Sequence, residues 1–182
     1  ENMPESSRWY PGAGIYRNVH LVVTEDAHIP TWGTQLITPV VTAEYAKVKL
    51  HTKLVVPAGT SFDEYRIVTK LIDKNGKTVA MDEKQGTRFD QAVFTQEFVV
   101  TNPLLWSPET PELYQAKSRI YQADVLKDEY VTTFGIRSIE VIPDKGFYLN
   151  GKRTLFRGVC NHHDLGPLGT AGNDAAIPLP LL

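Results

Sequence analysis

Glu44-Tyr45-Ala46-Lys47-Val48-Lys49-Leu50-His51-Thr52-Lys53-Leu54-Val55-Val56 decides the fold class. Ala46, Val48, Leu50, Leu54 and Val56 alternate with Lys47, Lys49, His51 and Lys53. Successive side chains of a strand point to opposite faces, so the pattern puts the apolar set on one side and the cations on the other. It predicts an antiparallel strand with one face buried and one in water. The lysines read as a solvated face. Pro57-Ala58-Gly59-Thr60 ends the strand.

The same signal recurs on both sides. A strand at about Thr34–Val41 precedes it, with Pro39 marking an edge position or a bulge. Downstream, Tyr65, Ile67, Thr69 and Leu71 form the buried set of the next strand. Asp73-Lys74-Asn75-Gly76 turns the chain back into Lys77–Asp82. Val93–Val100 follows, and then a long proline-rich corner, Asn102–Pro111. Leu113–Ala123 and Tyr130–Ile142 are the last long strands, with Asp124–Glu129 as the polar turn between them. About seven strands with frequent turn signals, and no sustained 3.6-residue period, predict an all-β chain. Its centre is an immunoglobulin-like antiparallel β-sandwich over residues 31–142.

The flanks differ from this centre. Residues 1–14 are rich in Pro, Gly and Ser and read as a loop, followed by a strand at Ile15–Thr24 and a linker at Glu25–Pro30. After the sandwich, Phe147-Tyr148-Leu149, Asn150-Gly151 and Thr154-Leu155-Phe156 spell a hairpin, because both central residues of its turn need φ > 0. That hairpin runs into Gly158-Val159-Cys160-Asn161-His162-His163-Asp164, the densest chemistry in the chain.

Composition narrows the function classes. With 42% hydrophobic and 22% charged residues, the chain is an ordinary globular sequence. A net charge of −2 gives no electrostatic case for nucleic acid or an anionic membrane as partner. The single cysteine, Cys160, excludes an internal disulfide. No apolar run reaches the roughly 18–20 residues of a membrane span. The acidic, polar start is not a signal peptide, and the reading is of a soluble chain whose compartment, cytoplasmic or periplasmic, stays open.

Adjacent histidines on an extended segment point to opposite sides, so His162 and His163 do not share a metal, and no metal site is expected. Cys160 has no identifiable base and reads as a packing thiol. Gly166–Gly169 lacks the spacing and the Lys-Ser/Thr of a phosphate loop. Trp9, Tyr10 and Trp32 read as core or interface aromatics, with sugar stacking as the other reading.

Four ordered segments resemble glycoside hydrolase family two, the β-galactosidase/β-glucuronidase family. Gly14-Ile15-Tyr16-Arg17-Asn18-Val19 resembles the closing strand of its jelly-roll sugar-binding domain. Leu105-Trp106-Ser107-Pro108-Glu109-Thr110-Pro111-Glu112-Leu113-Tyr114 resembles the corner of its immunoglobulin-like second domain, and Phe134-Gly135-Ile136-Arg137-Ser138-Ile139-Glu140 that domain's last strand. Phe147–Asp164 resembles the hairpin and first strand that open its (β/α)₈ barrel.

The resemblance implies three parts: residues 1–29 as the end of the jelly-roll, 30–142 as the sandwich, and 143–182 as a truncated barrel entry. Barrel enzymes carry their sites at the C-terminal ends of the strands, and Phe156–Val159 would be strand one. His162 matches a family histidine that lines the galactosyl subsite, with Asn161, His163 and Asp164 as weaker substrate contacts. Cys160 stands where the family often has Asn, and His163 where it often has Glu.

The implied parent is a retaining β-glycosidase, a β-galactosidase, whose two glutamates lie roughly 5 Å apart. Both would come from later strands, so the resemblance implies an inactive fragment with no cofactor of its own. The Mg²⁺ site of some members depends largely on later residues. The implied partners are a β-galactoside and the rest of the same chain. Apolar surface around Phe147, Leu149, Leu155 and Phe156 is expected to favour self-association. The alternative is a free-standing immunoglobulin-like module that binds carbohydrate or protein.

Overall fold

A computed structural model describes residues 15, 18–88, 91–156 and 158. Asn161, His162, His163 and Asp164, with Cys160, Trp9 and Tyr10, lie outside the described residues. The chain divides into two compact units, one of residues 1–22 with 156–182 and one of Val23–Leu155. In the first unit the described residues are in no regular element. The strand expected at Ile15–Thr24 is therefore not formed at 18–24, and Leu21, Val22 and Val23 are exposed. Alternation supplies a face but no partner, and a strand is stable only when its N–H and C=O groups are paired.

Among the described residues the second unit holds ten strands. The first sheet combines β1 (Thr34–Val41), β2 (Tyr45–Lys53) and β5 (Val93–Thr101) in the order β1-β2-β5. The second combines β3 (Tyr65–Ile72), β4 (Thr78–Gln85), β6 (Tyr114–Gln122) and β7 (Val125–Phe134) in the order β4-β3-β6-β7. All these pairings are antiparallel. The fourth strand hairpins onto the third instead of crossing to the first sheet, as it does in antibody constant domains.

β2 confirms the alternation: Ala46, Val48, Leu50 and Thr52 are buried, while Lys47 and Lys53 are exposed. β1 slips register between Ile37 and Val40, at the bulge marked by Pro39. Between the sheets lie two apolar clusters. One gathers Val48, Leu50, Leu71, Phe98, Tyr114 and Ile136. The other gathers Leu54, Phe62, Tyr65, Ile67, Phe94 and Ile120. Burying each large side chain contributes about 1.5–3 kcal/mol.

Among the described residues, Thr52, Thr69, Gln96 and Ser118 are buried polar groups in this interior. Thr69 donates to Gln96 Oε1 at 2.7 Å and shares a hydrogen bond with Ser118 Oγ at 2.9 Å. Gln96 Nε2 reaches the Asp82 carbonyl at 3.0 Å, joining β5 to β4 across the sheets. On the opposite side, Thr34 Oγ1 and Thr132 Oγ1 lie 2.9 Å apart and join β1 to β7. Thr52 Oγ1 has no partner among the described residues.

Two boundaries differ from the sequence reading. The turn expected over Asp124–Glu129 is only two residues, Ala123 (φ 45°) and Asp124 (φ 63°). That is the tight turn matching strand twist, so the charged residues after it are free to pair in β7. Tyr130–Ile142 is not one strand: β7 stops at Phe134, and β8 (Ile139–Ile142) belongs to another sheet. The break is Gly135, where a Cβ would come within 2.7 Å of Trp106 Cβ.

Glu25–Pro30 does more than link. Ala27 and Ile29 are buried in the second cluster, and His28 bridges to Val55. Asp128 Oδ2 accepts the Ile29 N–H at 2.7 Å.

Candidate functional junction

The sequence-derived contacts His162, Asn161, His163 and Asp164 lie outside the described residues, so the described geometry is that of the segment leading to them. β8, β9 (Gly146–Leu149) and β10 (Lys152–Arg153) form a separate antiparallel sheet in the order β10-β9-β8. Asn150 (φ 50°) and Gly151 (φ 75°) make the β9–β10 turn as their residue types predict. Thr154 N–H extends the pairing to the Phe147 carbonyl at 2.9 Å.

Asn150 does more than turn the chain. Its N–H donates to the Ser138 carbonyl at 2.9 Å, and its Oδ1 accepts the Ser138 N–H at 3.0 Å. Its Nδ2 donates to the Trp106 carbonyl at 3.0 Å. Trp106 N–H in turn donates to the Ile136 carbonyl at 2.8 Å. The Arg137 guanidinium lies 4.7 Å from the indole centroid, within cation–π range. The Arg137 carbonyl accepts Thr38 Oγ1 at 2.8 Å. The corner, the connection from β7 to β8, the first sandwich strand and the terminal hairpin therefore meet at one hub.

Tyr114 fixes the same corner from inside. Its hydroxyl accepts the Leu104 N–H at 2.8 Å, and its ring stacks on Phe134 at 5.8 Å. Burial raises the pKa of this phenol above its ordinary value.

The expected apolar surface is split. Leu149 is buried and Phe147 is half-buried, whereas Leu155 is 69% exposed and Phe156 79%. Pairing into the three-stranded sheet, which the hairpin signal alone does not contain, accounts for the difference.

Acid–base chemistry is not visible in the described part. Asp63, Glu109 and Glu129 are held below the usual carboxylate range. The causes are the Ser61 hydrogen bond and then Arg88 for Asp63, its own backbone N–H and then Ser107 for Glu109, and Lys117 with Arg119 for Glu129. A general acid needs its pKa raised; Asp63 and Glu129 are instead ion-paired carboxylates, and Glu109 is one held by hydrogen bonds. Among the described residues no group of three or more His, Cys, Asp or Glu could hold a metal ion. No described helix is long and apolar enough to cross a membrane.

The hub was missed by pattern reading, because periodicity does not connect Trp106 to Asn150. Only the residue types offered a signal: an Asn that both tolerates φ > 0 and carries a donor and an acceptor.

Comparison with known proteins adds a family. The family model described as "Glycosyl hydrolases family 2" matches residues 27–137. The chain is 40% identical over 174 residues to Beta-galactosidase BoGH2A of Bacteroides ovatus, covering 94% of this chain and 20% of that protein. It is 32% identical over 168 residues to a beta-glucuronidase of Bacteroides fragilis, covering 87% and 24%. The crystal structure of a glycosyl hydrolase family 2 member from Bacteroides cellulosilyticus superposes with a TM-score of 0.86 at 38% identity, over 96% of this chain and 23% of that one. The chain thus spans about a fifth to a quarter of the length of these relatives.

Proposed function

The chain belongs to glycosyl hydrolases family 2, and on that premise we propose that it is the spacer and barrel-entry part of a retaining β-galactosidase. In this reading the sandwich is non-catalytic. It holds the hairpin 146–153 in a fixed orientation, so that residues 156–159 enter a (β/α)₈ barrel and His162 reaches the sugar. Asn161, His163 and Asp164 line the same mouth. Hydrolysis of a terminal β-linked sugar uses two glutamates about 5 Å apart, one as nucleophile and one as acid/base. Neither is assigned to residues 1–182, so this chain alone turns over no glycoside. A Mg²⁺ site in the parent would depend largely on residues outside it.

The hub carries the reading: Asn150 hydrogen-bonds both Ser138 and Trp106, which ties the hairpin to the sandwich. The choice of a galactoside follows the relative at 40% identity, a β-galactosidase, over the β-glucuronidase at 32%.

The test assays the full-length protein on an aryl β-galactoside and an aryl β-glucuronide, and residues 1–182 on both. Galactoside cleavage by the full-length protein alone is expected. Preference for the glucuronide overturns the substrate, and turnover by residues 1–182 overturns the spacer role.

A further inference from the structure

Trp32 is 91% exposed and has φ 58°. A bulky side chain in the left-handed region is a marked outlier. The turn is Pro30-Thr31-Trp32-Gly33, closed by Gly33 N–H donating to the Pro30 carbonyl at 2.7 Å. Positive φ at the third position is what a type II turn reserves for glycine. The glycine here stands one place later, where a Cβ would come within 2.7 Å of the Pro30 carbonyl oxygen and 2.8 Å of Pro30 Cδ. The indole thus occupies the position where glycine would relieve the backbone.

The turn is also clamped. Ile29, just before it, is buried and bonded to Asp128 at 2.7 Å. Lys53 N–H donates to the Gly33 carbonyl at 2.7 Å just after it. A strained backbone, hydrogen-bonded on both sides, leaves the indole 91% exposed. Strain of this kind persists where it serves a function.

We propose that Trp32 is an accessory glycan contact, stacking its indole on one pyranose ring of a polysaccharide. The choice of glycan over protein rests on the setting and on the glycosidase reading. Protein anchors sit in well-packed pockets surrounded by contacts that exclude water. Trp32 is flanked in sequence by Thr31, Gly33 and Thr34. A sugar needs only a flat π-face for its C–H side, with its hydroxyls left to water and polar neighbours.

Native affinity electrophoresis of the chain in gels containing β-1,4-galactan, a β-glucan or a glucuronoxylan tests this. Retardation by at least one glycan is expected, lost in Trp32→Gly and partly kept in Trp32→Phe. Trp32→Gly should also show an unchanged or upward-shifted melting temperature, because glycine suits the backbone. Retardation by none, or equal retardation of wild type and Trp32→Gly, overturns the proposal. So does a lower melting temperature for Trp32→Gly, or self-association in sedimentation that this variant abolishes, since either makes the indole a protein contact. Galactan binding lost in Trp32→Gly supports the site even if the full-length protein fails to cleave a galactoside, so the two readings fail separately.

Discussion

Asn150 Nδ2 donates to the Trp106 carbonyl oxygen at 3.0 Å across 44 positions of sequence. That bond welds the turn of the terminal hairpin to the proline-rich corner of the sandwich. The same side chain accepts the Ser138 N–H, so one residue serves three parts of the chain.

Replacing Asn150 separates its two roles. Asn150→Gly keeps a residue at ease with positive φ but removes both side-chain bonds, so it should still destabilise, by about 1–3 kcal/mol. Urea unfolding measures the loss. Hydrogen exchange should show the Ser138 amide losing protection. An unchanged midpoint would mean that the turn alone holds the hairpin.

Gly135 lies against Trp106, and a methyl group there meets Trp106 Cβ at 2.7 Å and Cγ at 2.9 Å. Gly135→Ala should therefore cost about 1–3 kcal/mol through overpacking. A thermal melt reads it. A matched Gly59→Ala control meets no neighbour within 4 Å, though its positive φ still adds strain.

The interior polar residues should respond in opposite directions. Gln96→Ala strips partners from Thr69 and the Asp82 carbonyl and leaves a cavity, a loss of about 2–4 kcal/mol. Thr52→Val removes a hydroxyl that has no partner among the described residues, so it should be neutral or stabilising by up to about 1 kcal/mol. Chemical denaturation of both variants checks the contrast.

Glu129 bonds Lys117 at 2.8 Å and Arg119 at 2.6 Å, and its pKa is lowered, first by Lys117 and then by Arg119. A lowered folded-state pKa means that the unfolded chain binds the proton more tightly. The stabilisation is fully present above the ordinary value of 4.5 and is lost as pH falls through the folded value. The wild-type melting temperature should drop toward that of Glu129→Gln below this point. Above it the gap should be about 2 °C, because exposed ion pairs are weak.

His162→Ala in the full-length protein should lower kcat/KM for the aryl galactoside by about 10-fold or more, through a lost sugar contact. Unchanged kinetics would remove His162 from the proposed site.

Local pattern carried much of the fold. The alternation of Ala46, Val48 and Leu50 with lysines places β2 in an antiparallel sheet, because strand side chains alternate wherever the strand lies. The φ demand of a two-residue turn makes Asn150-Gly151 legible in the same way. The strand expected at Ile15–Thr24 failed at 18–24 because alternation does not supply a partner. Trp32 read as a core or interface aromatic, yet it is not in the core, since burial depends on what faces a residue and not on its type.

The sequence by itself determined an all-β chain, its strand faces and its turns, since each depends on residues a few positions apart. Tertiary structure alone decided that the strand through Gly135 breaks, that Ala27 and Ile29 join the core, and that Asn150 reaches Trp106. Each of these depends on a contact between distant residues, and no period or turn signal encodes which remote carbonyl a side-chain amide will meet.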